Sequence, residues 1–150
     1  MEEGQMSDLN QIQHMKRSDL VQIRYLYQEL IPEGVSMEVL ERQYDATAKR
    51  PEYRLLVAKQ GEKVLGTAIG IVCQALDAPF LVIENVVVDS ACRKQGVGRK
   101  IFAALDDFAK ENNCQYALLV SSGFRKEAHR FYEAMGYTED VRGFRKYYYR

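Results

Sequence analysis

The apolar positions of this chain follow two spacings, one strand-like and one helical. Around 80–88, Val82, Ile83, Val86, Val87 and Val88 crowd a short β-branched run, which predicts a buried strand. Directly after it, Val97, Ile101, Phe102, Leu105, Phe108 and Ala109 recur at helical spacing. That helix should end near Asn112, where paired asparagines suit a left-handed stop. The rest of the chain is arranged around this strand and helix. A short strand over 11–15 carries Ile12 and Met15. Ser18 is placed to cap a helix with the apolar stripe Leu20, Ile23, Leu26, Tyr27 and Leu30. Pro32-Glu33-Gly34 ends it, and Ser36 can cap a second helix with Met37, Leu40 and Tyr44, stopping before Pro51. Strands over 53–59 and 64–74 flank the turn Gln60-Gly61-Glu62. Asp77-Ala78-Pro79 leads into the central strand. The segment 114–121 is dense enough in apolar residues to be a strand buried on both faces. A helix over 126–135 stops at Gly136, and 144–149 closes the pattern as an edge strand. The order β-α-α-β-β-β-α-β-α-β(-β) predicts an α/β fold with a mixed sheet, one domain over 1–150 with a flexible tail at 1–8.

Between the central strand and its helix lies Arg93-Lys94-Gln95-Gly96-Val97-Gly98. Glycines there let the backbone approach a ligand with bare N–H groups. A helix N-terminus adds unsatisfied donors and partial positive charge in the same space. Arg93, Lys94, Arg99 and Lys100 surround it with cations. The combination is an anion site, most economically for phosphate or pyrophosphate. Spacing excludes two familiar phosphate loops. A Walker loop needs Lys and Ser/Thr directly after the second glycine, where Arg99-Lys100-Ile101 stand. A dinucleotide fingerprint needs a third glycine where Ile101 stands.

Composition narrows the partner. Lys plus Arg and Asp plus Glu both number 21, so the formal charge is zero, which disfavours a general nucleic-acid binder. Three widely spaced cysteines (Cys73, Cys92, Cys114) suggest reduced thiols in a cytoplasmic protein. Two histidines, with no CxxC and no HExxH, leave no metal centre to expect. The polar, acidic start is not a signal peptide, and no apolar run reaches membrane-spanning length.

Arg93-x-x-Gly96-x-Gly98 after a Val-rich strand closely resembles the acyl-CoA pyrophosphate loop of the GNAT superfamily of N-acetyltransferases. The run Ala128-His129-Arg130-Phe131-Tyr132-Glu133-Ala134-Met135-Gly136-Tyr137 looks like that superfamily's second cofactor motif, Ala-x-x-Phe-Tyr-x-x-x-Gly-aromatic. The element order matches the GNAT layout along nearly the whole chain. It is strongest over 83–137 and weakest over the first 50 residues, where that superfamily builds its acceptor site. The resemblance implies acetyl-CoA as acetyl donor, with no metal. It implies cofactor contacts from Val86, Val87, Val88, Arg93, Lys94, Gln95, Gly96, Val97, Gly98, Arg99 and Lys100. The reaction it implies is direct attack of a primary amine on the thioester through a tetrahedral oxyanion. Backbone N–H groups near 86–88, where the sheet halves splay, are the expected oxyanion donors. The acceptor is expected to be a small-molecule amine. A protein, peptide or tRNA-borne amine is the alternative within the enzyme class, and a non-catalytic acyl-CoA-binding module the alternative outside it. A homodimer is compatible with each.

The motifs single out individual residues. An arbitrary helical tyrosine is ordinarily a core aromatic. At Tyr132 the motif match implies instead the acid that protonates the departing thiolate. Glu84 and Asn85 should lie on opposite faces of the central strand. A carboxylate in a Val/Ile strand is costly unless paired or wet. Glu84 is therefore either the base, acting through water, or a sheet-surface residue paired with Lys or Arg. Asn85 can only orient substrate or water. Cys92 is either a low-pKa thiol beside the basic loop or a small filler. His129 suits a solvent-facing or cap-adjacent place better than catalysis. Arg125 stands where many superfamily members carry Asn. Finally, SSGFRKEAHRFYEAMGY and the terminal FRKYYYR are similar to the end of aminoalkylphosphonate N-acetyltransferases. That likeness implies a small amine bearing an anionic group, with Arg125, Arg142 and Arg145 as candidate forks for it. The same arginines could equally be solvated or hold the cofactor's 3′-phosphate.

Overall fold

Two core clusters lie on opposite faces of a single five-stranded sheet. The protein is described from a computed structural model covering residues 11–121 and 126–149. The predicted tail at 1–8 and Arg125 fall outside those residues. The elements are β1 (Gln11–His14), α1 (Leu20–Leu26), α2 (Met37–Thr47), β2 (Tyr53–Gln60), β3 (Lys63–Gln74), β4 (Pro79–Val88), α3 (Val97–Glu111), β5 (Ala117–Leu119) and α4 (Lys126–Ala134). The strands stand in sequence order, antiparallel from β1 to β4 and parallel between β4 and β5. Successive residues of β2 serve opposite faces. Leu55 and Val57 pack with Leu20, Ile23, Leu26 and Leu40 of α1 and α2. Leu56 and Ala58 pack with Ile101, Phe102, Leu105 and Phe108 of α3. Burial on both faces is why β2 reads as an apolar run rather than an alternation. Gly66 and Gly70 on β3 let α3 lie close, since a Cβ on Gly70 would stand 2.9 Å from Leu105 Cδ2.

Several predicted caps form and one does not. The Ser36 hydroxyl accepts the Val39 N–H at 3.2 Å, and Asn113 takes φ 56° at the end of α3. Ser18 does not cap α1. A 3₁₀ turn over Arg17–Asp19 precedes that helix, and the Asp19 carboxylate closes it by accepting the Lys16 N–H at 2.8 Å. The other carboxylate oxygen of Asp19 lies 2.6 Å from Lys59 Nζ, with both side chains 3% exposed.

The carboxy-terminal part departs most from expectation. The strand predicted over 114–121 shrinks to β5, which pairs only Ala117, Leu118 and Leu119 with Leu81, Val82 and Ile83. It is not buried on both faces, and Val120 is 68% exposed. Cys114 still donates to Ala109 O at the helix end, and among the described residues no strand covers the outer edge. The closing strand over 144–149 is likewise absent, and Phe144, Tyr148 and Tyr149 are exposed. Adjacent tyrosines place rings on alternate sides, so a strand there has no single apolar face to bury.

Strict alternation also fails in β4. Its pairing with β3 runs Ile69↔Glu84 and then Thr67↔Val87, so Asn85 and Val86 together face the place opposite Ala68. This is a β-bulge, with Asn85 at φ 53°. Before it, Leu81 and Ile83 face α3. After it, Val86 and Val88 pack on that side, while Val87 joins the α1 cluster. The simple two-face rule therefore fails from Val86 onward.

Candidate active site

The bulge and the short β5 together open a cleft. Beyond the Ile83↔Leu119 pair β5 no longer runs beside β4, so the β5-side edge of residues 84–88 is released from the ladder. A cleft of about 650 Å³ lies over that edge. Val86, Val87 and Val88 form its floor, the loop before α3 one wall, and Lys126, Glu127, Ala128, Phe131 and Tyr132 of α4 the other.

The loop has the backbone its sequence requires. Asp89 caps the 3₁₀ turn Ser90–Cys92 by accepting the Ala91 N–H at 3.0 Å. Lys94 and Gly96 then take left-handed conformations, φ 67° and φ 81°, the second of which glycine adopts without steric cost. Gly96 is the N-cap of α3 and brings no side chain to it. The first intrahelical bond runs from Lys100 N to Gly96 O at 3.1 Å. The N–H groups of Val97, Gly98 and Arg99 therefore precede any intrahelical acceptor. Arg93, Lys94 and Arg99 line the cleft, whereas Gln95 and Lys100 do not. A helix N-terminus bordered by these cations and by Lys126 fits a pyrophosphate-bearing ligand.

Gly98 has a use that its spacing alone does not show. A Cβ there would stand 2.9 Å from Phe131 Cζ, so the missing side chain makes room for the aromatic ring of α4. Phe131 in turn meets Phe102 edge-on at 5.4 Å, and Tyr132 lies 5.9 Å from the same ring. Tyr137 completes the group at 5.7 Å from Phe102, and its N–H donates to Tyr132 O at 3.0 Å. Burial, helped by Asp106, pushes the Tyr137 phenol up to about 12. These contacts place the Tyr132 ring on the cleft wall facing the loop.

Other predicted residues lie elsewhere. Glu84 is exposed on the sheet face that carries α1 and α2, outside the cleft lining, and Asn85 sits at the bulge beside the floor. Cys92 is buried in the core and touches the cleft. His129 and Arg142 do not line it, and Arg142 and Arg145 are exposed. Sequence reasoning missed Glu29, which lines the cleft from the 3₁₀ turn Tyr27–Glu29 after α1. Its carboxylate accepts from Arg93, and no local pattern announces a contact made across 64 positions of chain.

A sequence model of the Acetyltransferase (GNAT) family matches residues 20–137, a span holding the bulged strand, the loop and α4. The chain belongs to that family. GNAT enzymes take their acetyl group from acetyl-CoA, and the loop geometry above fits that donor's pyrophosphate. The uncharacterized N-acetyltransferase YhdJ of Bacillus subtilis (strain 168) is 29% identical over 119 residues, which cover 75% of this chain and 80% of that protein. A transcriptional regulator from Bacillus halodurans C-125 shares the fold at TM-score 0.86 and 23% identity, over 93% of this chain and 99% of the other. Glucosamine-6-phosphate N-acetyltransferase from Arabidopsis thaliana shares it at TM-score 0.79 and 24% identity, over 93% and 98%. Among the described residues no helix is long and apolar enough to cross a membrane, and no group of three or more His, Cys, Asp or Glu is placed to hold a metal.

Proposed function

We propose that this GNAT acyltransferase moves an acetyl group from acetyl-CoA to the primary amine of a small molecule, by direct attack through a tetrahedral intermediate. The observation that carries the reading is one cleft with a phosphate-type loop on one wall, Tyr132 on the other and the released edge of β4 as its floor. When bound, acetyl-CoA supplies an activated thioester. The side chains and backbone then divide the work. N–H groups of Val97, Gly98 and Arg99 hold phosphate, with Arg93, Lys94 and Arg99 adding charge. Edge N–H groups of 86–88 suit the oxyanion. The Tyr132 hydroxyl donates a proton to the departing sulfur.

Glu84 serves as the base in this scheme, relaying the amine's proton through water because its carboxylate stands outside the cleft wall. Glu84→Gln is then expected to flatten the acidic limb of the kcat/KM profile. An acidic limb left in place by that substitution would move proton removal to bulk water or another group. For the acceptor, the fold-mate from Arabidopsis acts, by its name, on an amine that also carries a phosphate. The likeness of the chain's end to aminoalkylphosphonate N-acetyltransferases points the same way, with Arg125 and Arg142 as its candidate anion-holding residues. A thiol-release screen with acetyl-CoA tests the whole reading. It should compare glucosamine 6-phosphate with glucosamine, alongside aminoalkylphosphonates, aminoglycosides, polyamines and lysine peptides. Small amines are expected to release thiol. Release with lysine peptides alone would overturn the small-molecule acceptor, and a preference for uncharged amines over their phosphorylated forms would remove the anionic refinement.

A further inference from the structure

Arg93 opens the phosphate loop, yet its guanidinium already holds an anion. Its Nη2 lies 2.6 Å from Glu29 Oε2, the side chains are 53% and 37% exposed, and both residues line the cleft. The carboxylate is delivered from a fixed point. Tyr27, two residues earlier, is buried in the core, and Leu30 N donates to Tyr27 O at 3.0 Å to close the turn. Burial pushes the Tyr27 phenol up to about 12, in keeping with a ring sealed beneath the turn. The pair therefore ties the turn after α1 to the loop before α3, with both partners lining the cleft.

We propose that Glu29 is a resident competitor for the donor's phosphate. Its carboxylate holds Arg93 in the unliganded protein and gives it up when pyrophosphate enters. The inference rests on the proposed function only in requiring a phosphate-bearing donor at this loop. The exchange has a clear direction. A pyrophosphate offers more charge and more acceptor oxygens to one guanidinium than a single carboxylate does. The partly exposed Glu29 is rehydrated on release, so parting the pair costs little. Entry of the donor thus leaves Glu29 as an uncompensated carboxylate on the cleft wall, and it loosens the tie between the turn after α1 and the loop.

Calorimetric titration of coenzyme A into wild type, Glu29→Gln, Arg93→Ala and the double variant tests this. All of these changes are at partly exposed positions, and matching thermal melts would verify that each variant is folded. Glu29→Gln is expected to bind coenzyme A about two- to five-fold more tightly than wild type, the range of one exposed ion pair. In the Arg93→Ala background the same substitution should bring no gain, because nothing is left to compete for. An equal or larger gain in that background would mean plain repulsion between Glu29 and phosphate and would overturn the proposal. Unchanged or weaker binding by Glu29→Gln, with wild type binding normally, would overturn it while leaving the enzymatic reading intact. Failure of wild type and Glu29→Gln alike to bind coenzyme A would remove both.

Discussion

Tyr132→Phe should lower kcat by about 10²–10⁴-fold while the KM for acetyl-CoA stays near that of wild type. A phenylalanine ring keeps the ring packing and the backbone bonds of Tyr132. The ring would still pack near Phe102 and Phe131, at the present 5.9 and 5.8 Å. The backbone carbonyl would still accept from Met135 N and Tyr137 N, both at 3.0 Å. The hydroxyl is lost, and with it the proton that the proposed mechanism gives to the sulfur. An interaction made only in the transition state should cost kcat and kcat/KM alike. Steady-state kinetics with any accepted amine would decide it, and a phenylalanine variant as fast as wild type would reduce Tyr132 to packing. A raised KM with kcat unchanged would instead assign the hydroxyl to donor binding.

Lys59→Met should cost about 3–5 kcal/mol of folding stability, far more than its place near the end of a strand suggests. Lys59 and Asp19 are each 3% exposed at their side chains and 2.6 Å apart, so each is the other's main compensation for leaving water. Methionine would fill much of the aliphatic volume but strand the Asp19 carboxylate, which would keep the Lys16 N–H at 2.8 Å. An unpaired buried charge costs far more than an exposed pair gains. Urea unfolding would measure the loss. Combining Lys59→Met with Asp19→Leu should recover part of it, less the bond that closes the turn before α1. A loss below about 1 kcal/mol would show that the pair behaves as an exposed one.

The two motifs were legible because each depends on local chemistry. Gly96 needs φ 81°, and a loop that meets this need is read from a few adjacent residues. The helical stripe of α3 is equally local. What was not legible depends on contacts distant in sequence or on counting through irregularity. The bulge at Asn85–Val86 reverses the facing of every later residue in β4, and a period-two reading has no means of seeing one extra residue. Lys59 looks like an ordinary strand-end lysine until Asp19 is folded against it. Gly98 reads as a ligand-facing glycine, but the missing Cβ leaves room for Phe131. Apolar density over 114–121 misled for another reason. Density signals burial only where a neighbour exists to cover it, and β5 has none among the described residues on its outer edge.

Helix α4 carries the proposed acid, yet it has no buried residue, whereas α3 buries Val97, Ile101, Phe102, Leu105 and Phe108. Its Phe131 and Tyr132 are only partly buried where they pack on the main core beside Phe102. The free energy needed to detach it is therefore well below that needed to unfold the whole domain. Amide hydrogens of α4 should exchange with solvent before those of α3, and a bound donor touching both walls of the cleft should narrow the gap. On warming, the enzyme would then fall silent while most of its helix and sheet signal is still present, and adding coenzyme A would bring the two losses closer together.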